Sequence, residues 1–141
     1  MTKLLRFLLC SLAALTFVQS ASAARPSKPM ESFENIAVET SSGKALTAAQ
    51  VQAAITAAAT RRDWVVKPAG RGQLAAHIDV RQHAVDLVIR FDNKKYSLDY
   101  KDSTELGYVA KAGDKGPLIH PSYNKWLRTL VADIKKEIRS K

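Results

Sequence analysis

The feature that most constrains this chain is a strict two-residue alternation running through its middle. Leu74, Ala76, Ile78 and Val80 alternate with Ala75, His77, Asp79 and Arg81. Val85, Leu87, Ile89 and Phe91 alternate with Ala84, Asp86, Val88 and Arg90, and Tyr96, Leu98 and Tyr100 with Ser97, Asp99 and Lys101. Successive side chains on a strand point to opposite faces, so each segment carries one apolar and one polar face. Arg81-Gln82-His83 and Asp92-Asn93-Lys94 supply the turns between them. The pattern predicts an antiparallel meander with one face buried and one wet. Trp64-Val65-Val66 precedes the turn residues Pro68-Ala69-Gly70-Arg71-Gly72 and adds a fourth strand. The strands are expected near residues 64–67, 73–81, 84–91 and 95–101.

An apolar sheet face needs a cover. Thr47 and Gln50 form a capping box, in which each side chain reaches the other's orphan backbone N–H. The alanine-rich run that follows to Arg61 has high helix propensity and puts Val51, Ile55 and Ala58/Ala59 on one face. Near the other end, Pro121 suits the first position of a helix, where its missing N–H costs nothing. Tyr123, Trp126/Leu127, Leu130, Ile134 and Ile138 then recur at three- and four-residue spacing. The fold class is therefore α+β: a four-stranded antiparallel β-meander with one helix before and one after it, both on one face. Residues 24–45 read as an N-terminal leader, loose from Ala24 to Glu31 and with a short strand or ordered arm at Phe33–Val38. Residues 46–141 read as the single α+β domain. Asp102 to His120, with three glycines and Pro117, reads as one long loop.

The first 23 residues have a different texture. Lys3 and Arg6 precede an apolar run from Phe7 to Val18, and Ala21-Ser22-Ala23 places small residues where a signal peptidase reads. This is the pattern of a secretory signal, and the run is shorter than the ~20 apolar residues needed to span a bilayer. Cleavage is expected after Ala23, leaving a periplasmic or secreted protein without a transmembrane anchor. Cys10, the one cysteine, sits early in the apolar run behind Leu9 rather than a small residue, unlike a lipoprotein signal, and it leaves with the peptide. Stability must then come from burial rather than cross-links. Without residues 1–23 the chain keeps 20 of its 22 basic residues and all 13 acidic ones, a formal charge of +7.

Candidate chemistry is sparse. His77 and Asp79 share a strand face and, with His83, suggest a metal. Only two of the three lie together, however, and Arg81 continues their row, so a wet face with charge pairs among Asp79, Arg81, Asp86, Arg90 and Lys101 is the better reading. Ser103 and His120 could be cast in a hydrolytic role, but no Gly-x-Ser-x-Gly elbow accompanies them. His120 also reads as a helix-start residue. Tyr96, Tyr100, Tyr123 and Trp126 form the aromatic set facing the core, and the long loop beside them makes their edge the place for a pocket. Tyr100, Ser103, His120, Tyr123 and Asn124 are the candidate ligand edge. On the last helix, Lys125, Arg128, Lys135, Lys136 and Arg139 form a basic stripe, a candidate anion-binding surface. No nucleic-acid motif accompanies that charge, and no residue pattern calls for a cofactor.

The run Ala75-Ala76-His77-Ile78, Val85 to Asp92, Tyr96-Ser97-Leu98-Asp99-Tyr100 and Asp102-Ser103, completed by Ile119-His120 and Tyr123-Asn124-x-Trp126, resembles a family of small secreted proteobacterial proteins, many of them lipoproteins by sequence. The likeness covers roughly residues 50 to 138. It departs in two places: the lipoprotein cysteine is missing, and Glu105 stands where the family's Ser-x-Asn-Leu has asparagine. The resemblance implies the fold and export; it brings no site residue and no activity. The functional expectation is a non-enzymatic binding or envelope-associated protein that recognises an anionic envelope component or an acidic protein. The alternative is a small-ligand-binding or hydrolytic domain that uses the Tyr100/Ser103/His120/Tyr123 edge.

Overall fold

The computed structural model describes residues 26–141, so the signal-peptide reading, the cleavage point after Ala23 and Cys10 lie outside the described residues. The chain runs β1 (Lys28–Pro29), β2 (Phe33–Ala37), α1 (Ala48–Thr60), β3 (Val65–Gly70), β4 (Gln73–Val80), β5 (His83–Phe91), β6 (Lys95–Thr104), a 3-10 turn (Gly113–Lys115), β7 (Leu118–Ile119) and α2 (Pro121–Arg139). The class is α+β, with two helices and antiparallel strands, as the periodicity implies.

Each helix starts where local chemistry favours it. Thr47 Oγ1 accepts from the Gln50 amide at 3.2 Å while Gln50 Oε1 accepts from the Thr47 amide at 2.9 Å, closing the capping box ahead of α1. His120 caps α2, its Nδ1 accepting from the Ser122 amide at 3.2 Å, with Pro121 in the first turn. Val51, Ala54, Ile55, Ala58 and Ala59 of α1 and Leu127, Leu130, Ile134 and Ile138 of α2 are fully buried. They join Leu74, Ala76, Ile78, Val85, Leu87, Ile89, Tyr96 and Leu98 of the sheet in one apolar cluster. The helices also touch each other, and Arg61–Glu137 (2.8 Å) and Arg62–Asp133 ion pairs bridge the end of α1 to the end of α2.

The main sheet has five strands rather than four, in the order β2-β6-β5-β4-β3. Strands β3 to β6 are consecutive hairpins, and β2 adds to the outer edge of β6 through Phe33↔Leu98, Ile36↔Tyr96 and Ala37↔Lys95. An uncovered edge would present a row of unpaired backbone groups, and β2 supplies their partners. The alternation of β2 is broken by a bulge between Phe33 and Ile36, where Asn35 takes φ 53° and its amide donates to Ser97 Oγ at 2.9 Å. A three-residue apolar spacing therefore belongs to a strand.

Two other expectations change. The leader is not loose from residue 28 onward: β1 pairs antiparallel with β7, and the Met30 amide donates to the Pro117 carbonyl at 2.9 Å. These are backbone bonds, which leave no side-chain pattern to read. The expected long loop is also shorter and better tied. β6 runs on to Thr104, and a bulge at Lys101 sets Leu87 opposite Tyr100 but Asp86 opposite Asp102. The extra residue flips the parity of everything after it, so Ser103, opposite buried Val85, shares the helix side of the sheet with Tyr100. Beyond it, Leu106 is buried, its carbonyl accepting from the His120 amide at 2.9 Å, and Val109 bridges Leu118 in both directions.

Glu105 follows this strand at φ 58°, in the left-handed region. That region costs most L-residues about 1 kcal/mol or more, while asparagine enters it readily. Asparagine fits the backbone here better than glutamate.

Candidate functional site

Three tyrosines meet at the β6 end of the sheet. Tyr100 is the central ring, stacked on Tyr108 with centroids 4.2 Å apart and edge-on to Tyr123 at 5.9 Å. These are the offset and T-shaped geometries that aromatic quadrupoles favour. The Tyr100 hydroxyl shares a 2.9 Å hydrogen bond with Ser103 Oγ, a contact that the Lys101 bulge makes available by turning Ser103 to the same side. Burial pushes the phenol pKa of Tyr123 and of Tyr100 up, so both remain neutral donors at any physiological pH.

Tyr108 is 38% exposed and sits on a short corner between two anchored neighbours. Leu106 is buried on one side, and Val109 is bridged to Leu118 on the other. Gly107 at φ 58° lets the chain turn between them. The ring is thereby held against Tyr100 by tied backbone rather than by a free loop.

The opposite wall comes from the N-terminal strap. Asn124, 4% exposed on the first turns of α2, accepts from the Glu31 amide through Oδ1 at 3.0 Å and donates from Nδ2 to the Pro29 carbonyl at 2.9 Å. It holds residues 28–31 as one more strand would. Between strap and corner lies a groove of about 450 Å³. Tyr100, Tyr108, Tyr123, Phe33 and Met30 give it apolar surface, and Glu31, Glu34 and Asp99 give it carboxylates. The size and the mix of aromatic walls with a few polar groups are those of small-ligand sites.

The sequence-derived edge is thus partly assembled. Tyr100, Ser103 and Tyr123 come together, while Asn124 clamps the strap and His120 caps α2. The hydrogen-bond partner of Ser103 is Tyr100 rather than His120. His120 instead stacks on His83 at 5.7 Å, and His83 lies 6.1 Å from Trp126. Tyr96 is buried elsewhere, and its hydroxyl has no hydrogen-bond partner among the described residues. Tyr108, Phe33, Glu31, Glu34 and Asp99 were not singled out from sequence. For Tyr108 the available signal was an aromatic residue directly after a glycine in a loop; the others depend on where the strap docks.

On the wet face, His77 Nδ1 lies 2.9 Å from Asp86 and Nε2 3.1 Å from Asp79, whereas His83 is on the helix side of the sheet. Among the described residues no cluster of three or more His, Cys, Asp or Glu is placed to hold a metal. Arg90 forks onto Asp99 (2.8 Å to Oδ1), supplying a charge pair across β5 and β6. The basic stripe follows the outer side of α2. Arg128 reaches Glu31 at 3.4 Å, and among the described residues Lys125, Lys135, Lys136 and Arg139 have no ion-pair partner. No described helix is long and apolar enough to cross a membrane.

Two outcomes are expected. Asn124→Ala strands the Glu31 amide and the Pro29 carbonyl, so it should cost about 1–3 kcal/mol in urea unfolding and speed hydrogen exchange at Glu31. His77 is drawn to its charged form by Asp86 first and Asp79 second, so its pKa is raised from 6.5. A raised folded pKa contributes stability that is fully present below about 6.5 and lost as pH climbs through the folded value. The melting-temperature difference between the native protein and His77→Gln should therefore be largest near pH 6 and shrink toward pH 8.5.

Comparison of the chain with protein-family models, with curated proteins and with solved structures finds no match.

Proposed function

We propose that this protein is an exported, non-enzymatic binding module that takes a small ligand in the groove between Tyr100, Tyr108 and Tyr123. The observation that carries this reading is the stacked Tyr100–Tyr108 pair, 4.2 Å apart, which presents one exposed ring to a groove of about 450 Å³. An exposed aromatic on a mobile loop would pay an ordering cost on binding; this one is tied on both sides, so less is lost when a ligand stacks on it. The sequence pattern of residues 1–23 supports export, and a binding role outside the cell suits a chain whose Ser103 hydroxyl is engaged by tyrosine and whose His120 is spent on a helix cap.

A second reading rests on the outer face of α2. Lys125, Lys135, Lys136 and Arg139 lack ion-pair partners among the described residues, and this favours weak attachment to an anionic envelope component or an acidic protein. Such attachment rests on exposed charge alone and fades between low and high salt.

The two readings separate by mapping amide shifts of the purified, isotope-labelled protein against a low-molecular-weight extract of bacterial envelopes. Shifts confined to residues 30–34, 98–100, 108 and 123 support the groove. Tyr108→Ala should abolish them, at a stability cost of about 0.5–1.5 kcal/mol for the lost stack on Tyr100 and with the rest of the amide spectrum unchanged. Shifts confined to α2 would overturn the groove and favour the basic stripe.

A further inference from the structure

The charge around the aromatic groove runs against the rest of the molecule. The chain has 22 lysines and arginines against 13 acids. Four other grooves on the described surface each carry at least one lysine or arginine: Arg71, Arg90 and Lys95 in one, Lys135 and Arg139 in the next, Arg61, Arg62 and Lys136 in a third, and Lys125 and Arg128 in the fourth. The tyrosine groove has no basic residue in its wall and three carboxylates, Glu31, Glu34 and Asp99. Building on the groove as a ligand site, we propose that its ligand is a small organic cation, an ammonium or guanidinium head carried on a flat or apolar body.

The chemistry follows from the arrangement. The face of an aromatic ring carries negative quadrupole and attracts a cation within about 6 Å of its centroid. Tyr108, backed by Tyr100 and 38% exposed, supplies the ring, and burial raises the phenol pKa of Tyr100 and Tyr123 so that neither becomes anionic. The three carboxylates differ in how far an arginine already satisfies them. Asp99 is forked by Arg90, which leaves it largely neutralised. Glu31 has only a 3.4 Å contact to Arg128, both side chains more than 40% exposed, a pairing worth little in water. Glu34 has no ion pair among the described residues and acts on Arg90 only weakly, through space. Glu31 and Glu34, adjoining the aromatic wall on the strap, are therefore the carboxylates left to meet a ligand cation. An anionic ligand would face them unpaired, and a neutral one would gain only the stacking.

The test uses N-acetyl-arginine methylamide as the cation and the matching citrulline derivative as its neutral isostere, each titrated into the labelled protein with amide shifts as readout. The cation should bind at least about tenfold more tightly than the isostere, by the size of a cation–π contact with a nearby carboxylate, and its affinity should fall with added salt. Glu31→Gln/Glu34→Gln should remove that preference while leaving the weaker isostere binding in place. Glu34→Gln alone, at an exposed position, should lose part of the preference and serves if the double variant does not fold. Equal binding of cation and isostere would overturn the cation assignment and leave the groove standing. Binding of neither would overturn both. Tighter binding of an arginine-containing peptide than of the free cation, with shifts spreading outside the groove, would overturn the small-molecule assignment.

Discussion

Everything in this structure depends on covering one apolar sheet face. Leu74, Ala76, Ile78, Val85, Leu87, Ile89 and Leu98 cannot be left wet, and the domain has no cross-link among its described residues to stabilise it otherwise. Two helices solve the problem side by side. The small residues of α1 let it sit close, while α2 supplies the larger side chains Leu127, Leu130, Ile134 and Ile138. The ion pairs from Arg61 and Arg62 to Glu137 and Asp133 join the helix ends at the surface, where such pairs add little energy but fix which ends meet.

With both helices on one face, the first turns of α2 are delivered to the end of β6, and that junction makes the groove. Asn124 is the hinge pin of the arrangement: one buried amide satisfies the Glu31 amide and the Pro29 carbonyl and so seats the strap against the helix. The β6 bulge contributes on the other side. By inserting Lys101 it turns Ser103 toward Tyr100, whose hydroxyl then has a partner, and it carries the chain into the corner that holds Tyr108.

The sequence was most legible where a period was unbroken. β4, β5 and the first half of β6 alternate cleanly, and the apolar rows read from that alternation are the ones that face the core in the structure. The capping box at Thr47 and Gln50 and the proline at the start of α2 are local chemistry and were equally readable. The elements that escaped were β1, the pairing of β2 with β6 and the Tyr108 corner. The bulge at Asn35 spaces the apolar residues of β2 by three, so the strand read at Phe33–Val38 shows no alternation that would seat it in the sheet, and β1 is two residues joined by backbone bonds alone. Of the candidate edge, Tyr100, Ser103 and Tyr123 were within reach because they flank a loop; Glu31, Glu34 and Asp99 were not, because their approach is a matter of docking.

The amino-acid sequence by itself determined the class of the fold, the buried face of the sheet and the amphipathic side of α2. Each follows from interactions between residues a few positions apart, which leave a period or a cap in the chain. Only the tertiary structure decided that the N-terminal strap closes onto Asn124 some 93 residues away, that the sheet has a fifth strand, and that an acidic aromatic groove opens on a basic protein. Those outcomes rest on backbone hydrogen bonds and on side chains distant in sequence. Backbone groups are the same at every residue, so nothing in the order of side chains announces which of them will meet.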